Sequence, residues 1–332
     1  MNMKRFLSVV LSLILLTSFS GCRKTPPVNR YPLGHFPDSV MALEGLNTQY
    51  DDYNSDLNEY GILTGSHPLV FSSNRETAGG TFNLVYGEYG YYFGQTSGFF
   101  QLHSEISSDP FLDALTAKFN TSGNDFGPFR FLNRGDGLEY MATATEVSGT
   151  GLDIVFSCFT PSFSNVPPIP DPVPATLFNT SSDDAYISLN INFDTAYFCS
   201  DRSGNFDIYL LKRPPATNIN TWFLSPSATP VAIDSITTMA NEKCPYVSGR
   251  YMVFVSDRPG GMGGYDIYYA VFRGGKWSSP VNMGPKINSE YNEYRPVIGK
   301  DNLFDGPFMV FSSDRPGGKG GYDLYFTGIT FR

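Results

Sequence analysis

The most constraining feature of the sequence is a short apolar segment that ends in Ser-Asp-Arg or Ser-Asn-Arg and recurs four times, at 69–75, 196–202, 252–258 and 309–315. A degenerate copy at 140–145 lies between the first two. Between equivalent points at Phe71, Ala142, Phe198, Phe254 and Phe311 the steps are 71, 56, 56 and 57 residues. A repeat of this length with short strands predicts one four-stranded blade per copy, since such a unit buries its apolar face only by stacking on its neighbours.

The strand order within a repeat also follows from the sequence. In the last repeat, 294–298 predicts the inner strand, 308–312 the second and 323–327 the third. No fourth strand follows, so we expect the segment 39–46 near the N-terminus to complete this blade and to leave no open sheet edge. The predicted fold is therefore all-β, a five-bladed β-propeller of four-stranded blades over residues 38–332.

The first 21 residues have the features of a secretory signal, with Lys4 and Arg5 before an apolar run at 6–16 that is too short to span a bilayer. The sequence Phe-Ser-Gly-Cys at 19–22 resembles the lipobox of bacterial lipoproteins. That resemblance implies cleavage before Cys22 and acylation of its thiol, for example by palmitate. The alternative is an ordinary signal peptide with a chance cysteine. A proline-rich, charged segment predicts a tether over 22–37.

The remaining chain is acidic, with 21 Lys and Arg against 32 Asp and Glu once residues 1–21 are removed, a net charge of −11. Such a surface disfavours nucleic acid as a partner. The three cysteines after Cys22 allow at most one disulfide, and we favour free thiols over a bridge between Cys158 and Cys199. No cysteine or histidine has the spacing of a metal site, so neither a metal nor a cofactor is predicted.

The loop sequence Ser-Asp-Arg-Pro-Gly-Gly-X-Gly-Gly-Tyr-Asp-Ile/Leu-Tyr, at 256–268 and 313–325, resembles the WD40-like PD40 repeat of TolB-type propellers. The segment 287–294 is similar to the version found in lipoproteins of gliding and secretion machineries. This resemblance implies a protein of the cell envelope that docks protein partners on one propeller face. Arg23 and Lys24 directly after Cys22 favour the periplasmic side of the outer membrane over the cell surface.

A second repeated motif precedes the inner strands, an asparagine followed by Thr or Ser, with an acid five residues after the asparagine. Antiparallel strand order places this loop and the Ser-Asp-Arg turn at the same end of each blade. We therefore expect a ring of acids around one mouth of the channel: Asp52, Asp125, Asp184, Glu242 and Glu293. Such a ring suits a cation, an amine-bearing or hydroxyl-rich ligand, or a basic peptide. The structural alternative is that each acid accepts hydrogen bonds from amides of its own loop.

The residues of the Ser-Asp-Arg turn predict a structural role. Asp257 and Asp314 can accept hydrogen bonds from turn amides. We expect Arg258 to pair with Asp266 across the hairpin, and Arg315 with Asp323 in the same way.

The second repeat is irregular, with extra segments at 99–119, including a predicted helix at 109–119, and at 161–174. Aromatic residues are dense just before it: Tyr86, Tyr89, Tyr91, Tyr92, Phe93, Phe99 and Phe100. Exposed rings would suit a sugar or a protein contact. Packing between blades is the alternative.

These observations favour a membrane-anchored binding or assembly platform for protein or glycan partners of the envelope, with no catalytic residue assigned. The alternative is a glycoside hydrolase or glycan-binding propeller that uses carboxylates at the channel mouth. Hydrolysis needs one protonated and one ionised carboxyl about 5 to 9 Å apart. Four of the acids lie in the repeated motif, whereas the fourth blade departs from it, with Asp234-Ser235 and then a longer loop to Asn241-Glu242. This repetition favours the platform.

Overall fold

The computed structural model describes residues 30–57, 66–146, 151–161, 166–226 and 228–331. In this part of the chain the strands form five antiparallel blades, as predicted. Strand β1 (Met41–Ala42) precedes the first blade, which contains β2 (Asp52–Tyr53), β3 (His67–Ser73), β4 (Asn83–Phe93) and β5 (Phe100–Glu105). The second contains β6 (Asp125–Asn133), β7 (Leu138–Thr145), β8 (Asp153–Phe159) and β9 (Val173–Pro174). The third contains β10 (Asp184–Leu189), β11 (Thr195–Ser200), β12 (Asp207–Lys212) and β13 (Val231–Ala232).

The fourth blade contains β14 (Glu242–Ser248), β15 (Tyr251–Ser256) and β16 (Asp266–Arg273), and its outer position is shared by β17 (Lys276–Trp277) and β18 (Val281–Asn282), which both pair with β16. The last blade contains β19 (Glu293–Lys300), β20 (Pro307–Ser313) and β21 (Asp323–Gly328). Its fourth strand is β1, which pairs antiparallel with β21. The predicted closure by the N-terminal strand is confirmed, and Leu43 and Leu46 beyond β1 are fully buried.

An asparagine of the repeated loop motif joins one blade to the next. Asn288, before β19, donates to the carbonyl oxygen of Ile267 (2.9 Å) and accepts from its amide (2.9 Å), so the fifth blade is tied to the fourth. The same two bonds are formed by Asn120 on Leu84, by Asn179 on Ile154 and by Asn47 on Leu324. The loop before β14 lacks this asparagine, and at that joint the amide of Ile233 donates to the carbonyl oxygen of Ile208 (3.2 Å).

Two positions after each acid, within the inner strand or, in the first blade, directly after it, lies one residue with positive φ. These residues are Asn54, Gly127, Tyr186, Cys244 and Arg295. In the second to fifth blades the pairing register shifts here, so the residue sits in a β-bulge, which redirects side chains. Their contacts cross from blade to blade, which places them on the axis of the propeller.

Among the described residues, two α-helices and one short 3-10 helix (Arg75–Thr77) lie between strands. Helix α1 (Pro110–Phe119), confirmed at the predicted position, begins at Asp109, whose carboxylate accepts from two amides of the first turn. Its buried face, Leu112, Leu115 and Phe119, packs between the first and second blades. Helix α2 (Ile219–Phe223) was not predicted, since a single turn leaves no periodic signal. Within the described residues, none of these helices has the length and apolar character needed to cross a membrane.

The chain joins the fold before residue 38. Phe36, within the predicted tether, is buried and stacks on Phe304 at 3.9 Å between ring centroids. Tyr91 and Phe100 contact the same cluster, so these aromatics pack between the first and last blades, whereas Tyr92 and Phe99 are exposed. The signal peptide and Cys22 lie outside the described residues. Cys158, Cys199 and Cys244 are free thiols.

Candidate functional site at the channel mouth

The five predicted acids lie at the same mouth of the channel, each as the first residue of its inner strand. All five are fully buried. Each accepts a hydrogen bond from the amide of the residue four positions earlier: Thr48 to Asp52 (2.6 Å), Thr121 to Asp125 (2.8 Å), Thr180 to Asp184 (2.7 Å), Thr238 to Glu242 (2.9 Å) and Ser289 to Glu293 (3.0 Å). The hydroxyls of the same residues donate to them as well. The carboxylates therefore close their own loops.

The arginines of the repeated turn pair with these acids, which corrects the predicted partners. Arg315 donates to Glu293 (2.8 Å) and Arg258 to Glu242 (3.0 Å), instead of to Asp323 and Asp266. Arg202 pairs with Asp184, and Arg75 with Asp52, in the same manner.

Loop amides bind both acids that each arginine was offered, and the acid of the inner strand lies beside further acceptors for the guanidinium. Arg258 also donates to the carbonyl oxygen of Ile236 (2.9 Å) and to the hydroxyl of Ser256 (3.1 Å). The carboxylate of Asp266 is already bound by the amides of Met262 (2.6 Å) and Gly263 (3.1 Å), and that of Asp323 by the amide of Lys319 (2.7 Å). Asp257 and Asp314 each accept from a loop amide, of Asn241 (2.7 Å) and Asn292 (2.7 Å) respectively.

Asp125 differs from the other four acids because its blade has Thr145 and Glu146 where the others have the Ser-Asp-Arg turn. No arginine pairs with it within the described residues. Burial raises the pKa of Asp125, and the negative charge of Glu146 adds to that increase. Burial also raises the pKa of Glu242 and of Glu293, although their hydrogen bonds and their arginine partners act to lower it.

These shifts predict a pH dependence of stability. A carboxyl whose pKa is higher in the folded state contributes stability below its unfolded pKa, and this contribution is lost as pH rises through the folded pKa. The wild-type protein should therefore lose unfolding free energy as pH rises from about pH 5 to neutral pH. Glu293→Gln should lose less over the same interval, because the variant has no carboxyl to ionise at this position. Urea unfolding of both proteins across this interval measures it. An unchanged pH dependence in the variant would contradict the prediction.

Aromatic side chains surround the same mouth and were missed as a set by the sequence reasoning. They come from the position after the acid and from the position before the third strand, where Ala185, Lys243 and Leu152 are the non-aromatic exceptions. We call the aromatic residues at these positions, together with Lys243, the aromatic mouth: Tyr53, Phe82, Phe126, Phe206, Lys243, Tyr265, Tyr294 and Tyr322. All but Phe126 are half-buried. The sequence could have indicated this group, because one position directly follows the acid of the inner strand and the other directly precedes the third strand, at the same end of the blade.

The rings of the aromatic mouth contact one another across blades. Tyr53 of the first blade stacks on Tyr322 of the last at 5.3 Å and lies 5.9 Å from Phe126 of the second. Tyr265 of the fourth blade meets Tyr294 edge to face at 5.5 Å. Ring faces from four blades therefore converge on one surface, which suits a flat apolar face of a ligand.

Below the aromatic mouth the channel is filled by side chains. The hydroxyl of Tyr186 accepts a hydrogen bond from Asn54 (3.3 Å), and the guanidinium of Arg295 lies 5.4 Å from the Tyr186 ring centroid. All three are buried. The described residues contain no group of His, Cys, Asp and Glu arranged to hold a metal ion.

No family model matches this chain, and no curated protein is similar to it. Among solved structures it is similar to a thermostable family-43 glycoside hydrolase, with 14% identity and a TM-score of 0.56 over 88% of this chain and 94% of that one. An endo-arabinase from Bacteroides thetaiotaomicron is 13% identical, with a TM-score of 0.52 over 90% of this chain and 98% of that one. The GH62 alpha-L-arabinofuranosidase of Coprinopsis cinerea is 10% identical, with a TM-score of 0.51 over 90% of this chain and 98% of that one.

These findings correct two expectations. The resemblance to PD40 repeats of TolB-type propellers is wrong, since no family model supports it and the similar structures are glycoside hydrolases. The expected assembly platform for envelope proteins rested on that resemblance and is wrong with it, since the similar solved structures are glycoside hydrolases. At these identities what is shared with the glycoside hydrolases is the five-bladed propeller fold.

Proposed function

We propose that this chain is a carbohydrate-active propeller that binds a saccharide at the aromatic mouth. The convergence of half-buried rings from four blades on one open surface carries this proposal, because the apolar faces of sugar rings stack on such rings. The acids beside them are occupied by their own loops. The fold shared with glycoside hydrolases supports a carbohydrate ligand.

The location of the protein is part of the same proposal. The lipobox-like sequence ending at Cys22 supports an acyl anchor in the outer membrane, and the basic residues after it support the periplasmic side. Mass spectrometry of the mature protein tests the anchor, since acylation adds hydrocarbon mass at an N-terminal cysteine. The acidic surface argues against nucleic acid as a ligand.

Replacing Tyr322 with alanine tests the site. Its backbone amide donates to Asp51 (2.8 Å) and its carbonyl oxygen accepts from Asp52 (2.8 Å), and both bonds are kept in the variant. Loss of one stacking ring is expected to weaken saccharide binding about tenfold. A glycan array identifies the ligand, and calorimetry on it compares wild type, Tyr322→Ala and the matched control Tyr92→Ala, whose ring is exposed at the opposite end of the first blade. Equal affinity of all three proteins would rule out this surface.

A further inference from the structure

Basic side chains buried near the channel in the described residues usually meet a carboxylate. Arg130 pairs with Asp56 at 2.5 Å, both almost completely buried, and the four turn arginines pair with acids of the ring. Lys243 and Arg295 are exceptions, since neither forms an ion pair with a carboxylate within that part of the chain. Both belong to the inner strands of adjacent blades.

Lys243 lies in the aromatic mouth itself. Its ammonium nitrogen is 3.9 Å from the ring centroid of Phe206 and 5.7 Å from that of Tyr265, so cation–π contacts hold it in place. The equivalent position after the acid is Tyr, Phe, Ala and Tyr in the other blades. Lys243 is half-buried and thus the charged group that a ligand on the rings would meet.

Arg295 lies just below, and a chain of rings connects the two cations. Tyr265 contacts Tyr294 at 5.5 Å, Tyr294 contacts Tyr186 at 6.1 Å, and the guanidinium of Arg295 lies over Tyr186. One guanidinium nitrogen donates to the carbonyl oxygen of Pro128 (3.1 Å), while Nε and Nη1 have no hydrogen-bond partner.

The two charges act on the same region. Burial raises the pKa of the Cys244 thiol to about 11, and the positive charges of Arg295 and Lys243 both oppose that increase. A buried cation without a counter-ion is costly, and in a medium of low dielectric its field reaches farther than in water. The fourth and fifth blades therefore place two cations that have no carboxylate partner among the described residues, one beside the rings of the aromatic mouth and one beneath them.

We propose that the saccharide bound here is anionic, a glycan containing uronic acid whose carboxylate pairs with Lys243 above Arg295. This inference rests on the proposed saccharide site and names its substrate class. The carboxylate would neutralise the accessible cation while the sugar face stacks on the neighbouring rings.

Oligogalacturonides and their methyl esters test the charge of the ligand, because esterification removes the carboxylate charge and keeps the sugar. Wild type is expected to bind the free acid at least about tenfold more tightly than the ester, a difference of about 1.4 kcal/mol. Lys243→Met should lose this preference, and Lys243→Arg should keep it. The control Lys276→Met removes a lysine exposed at the outer edge of the same blade and should behave as wild type. Calorimetry at low and high salt measures all four proteins.

The outcomes separate this inference from the proposed function. Equal binding of acid and ester by wild type, or an unchanged preference in Lys243→Met, overturns the anionic ligand. If neutral arabinan or xylan oligosaccharides bind instead and Tyr322→Ala weakens their binding, the proposed saccharide site is supported and the anionic ligand is not. If no saccharide of either kind binds, both proposals fail.

Discussion

Arg315→Met is expected to lower the free energy of unfolding by about 3 kcal/mol, because it leaves the fully buried Glu293 without its counter-charge. The arginine also donates to the carbonyl oxygen of Ile287 (2.6 Å) and to the hydroxyl of Ser313 (3.1 Å). Methionine has a similar length but no charge, so the loss reports the polar bonds together with the cation–π contacts of the guanidinium with Phe311 and Tyr325. Urea unfolding followed by circular dichroism measures the change.

Two variants make this result specific. Arg273→Met removes an exposed arginine from the end of β16 and should change stability by less than about 0.5 kcal/mol. The double variant Arg315→Met with Glu293→Gln removes the buried charge as well, so it should be more stable than the sum of the two single changes predicts. Additive effects would mean that arginine and acid stabilise the fold independently.

Removal of residues 1–46 is expected to prevent folding to a stable monomer. The deletion exposes the whole edge of β21 and removes Leu43 and Leu46, two fully buried side chains. A long unpaired edge strand favours association with other chains. Sedimentation velocity should therefore show aggregates, and thermal melting should lose its cooperative transition.

A chain that begins at Arg30 is the control for this deletion and should melt as the full chain does. Leu43→Ala in that chain gives a graded test, since loss of a buried leucine side chain costs about 3 kcal/mol. A monomer lacking residues 1–46 that melts like the control would show that β1 does not close the ring.

The blade count and the closure could be predicted because both follow from spacing. Equivalent apolar segments that recur at about the length of one blade specify five units. The last unit has one strand too few, so it requires a strand from elsewhere in the chain. Met41 and Ala42 meet this requirement by pairing with Phe326 and Tyr325. The ring of acids was also placed correctly at one mouth, since strand order alone decides which loops share an end.

Partners of individual side chains could not be predicted in the same way. Arg258 and Arg315 each had an acid on the third strand, nearer in sequence, and an acid on the inner strand, farther away, and the sequence does not show which of them lies beside the other acceptors of the guanidinium. In the structure the inner-strand acid lies beside the carbonyl oxygen and the serine hydroxyl that each arginine also binds.

The mistaken family resemblance has a related cause. The Ser-Asp-Arg turn supplies the serine and arginine that bind the buried acid and the aspartate that binds the adjacent loop. Any four-stranded blade with a buried acid at this place gains from these residues. The motif therefore reports how a blade closes its loops and carries little information about ancestry or partners.

The asparagine missing from the loop before β14 has a counterpart on the other side of the joint between the third and fourth blades. Asn205, before β12, donates to the carbonyl oxygens of Ala240 (2.5 Å) and Thr238 (3.5 Å), and the amide of Glu242 donates to the carbonyl oxygen of Phe206 (2.7 Å). Four joints are bonded by an asparagine that precedes an inner strand, and this one by an asparagine that precedes a third strand. An interrupted loop motif therefore need not mean an interrupted ring, because the same type of side chain can bridge two blades from either neighbour.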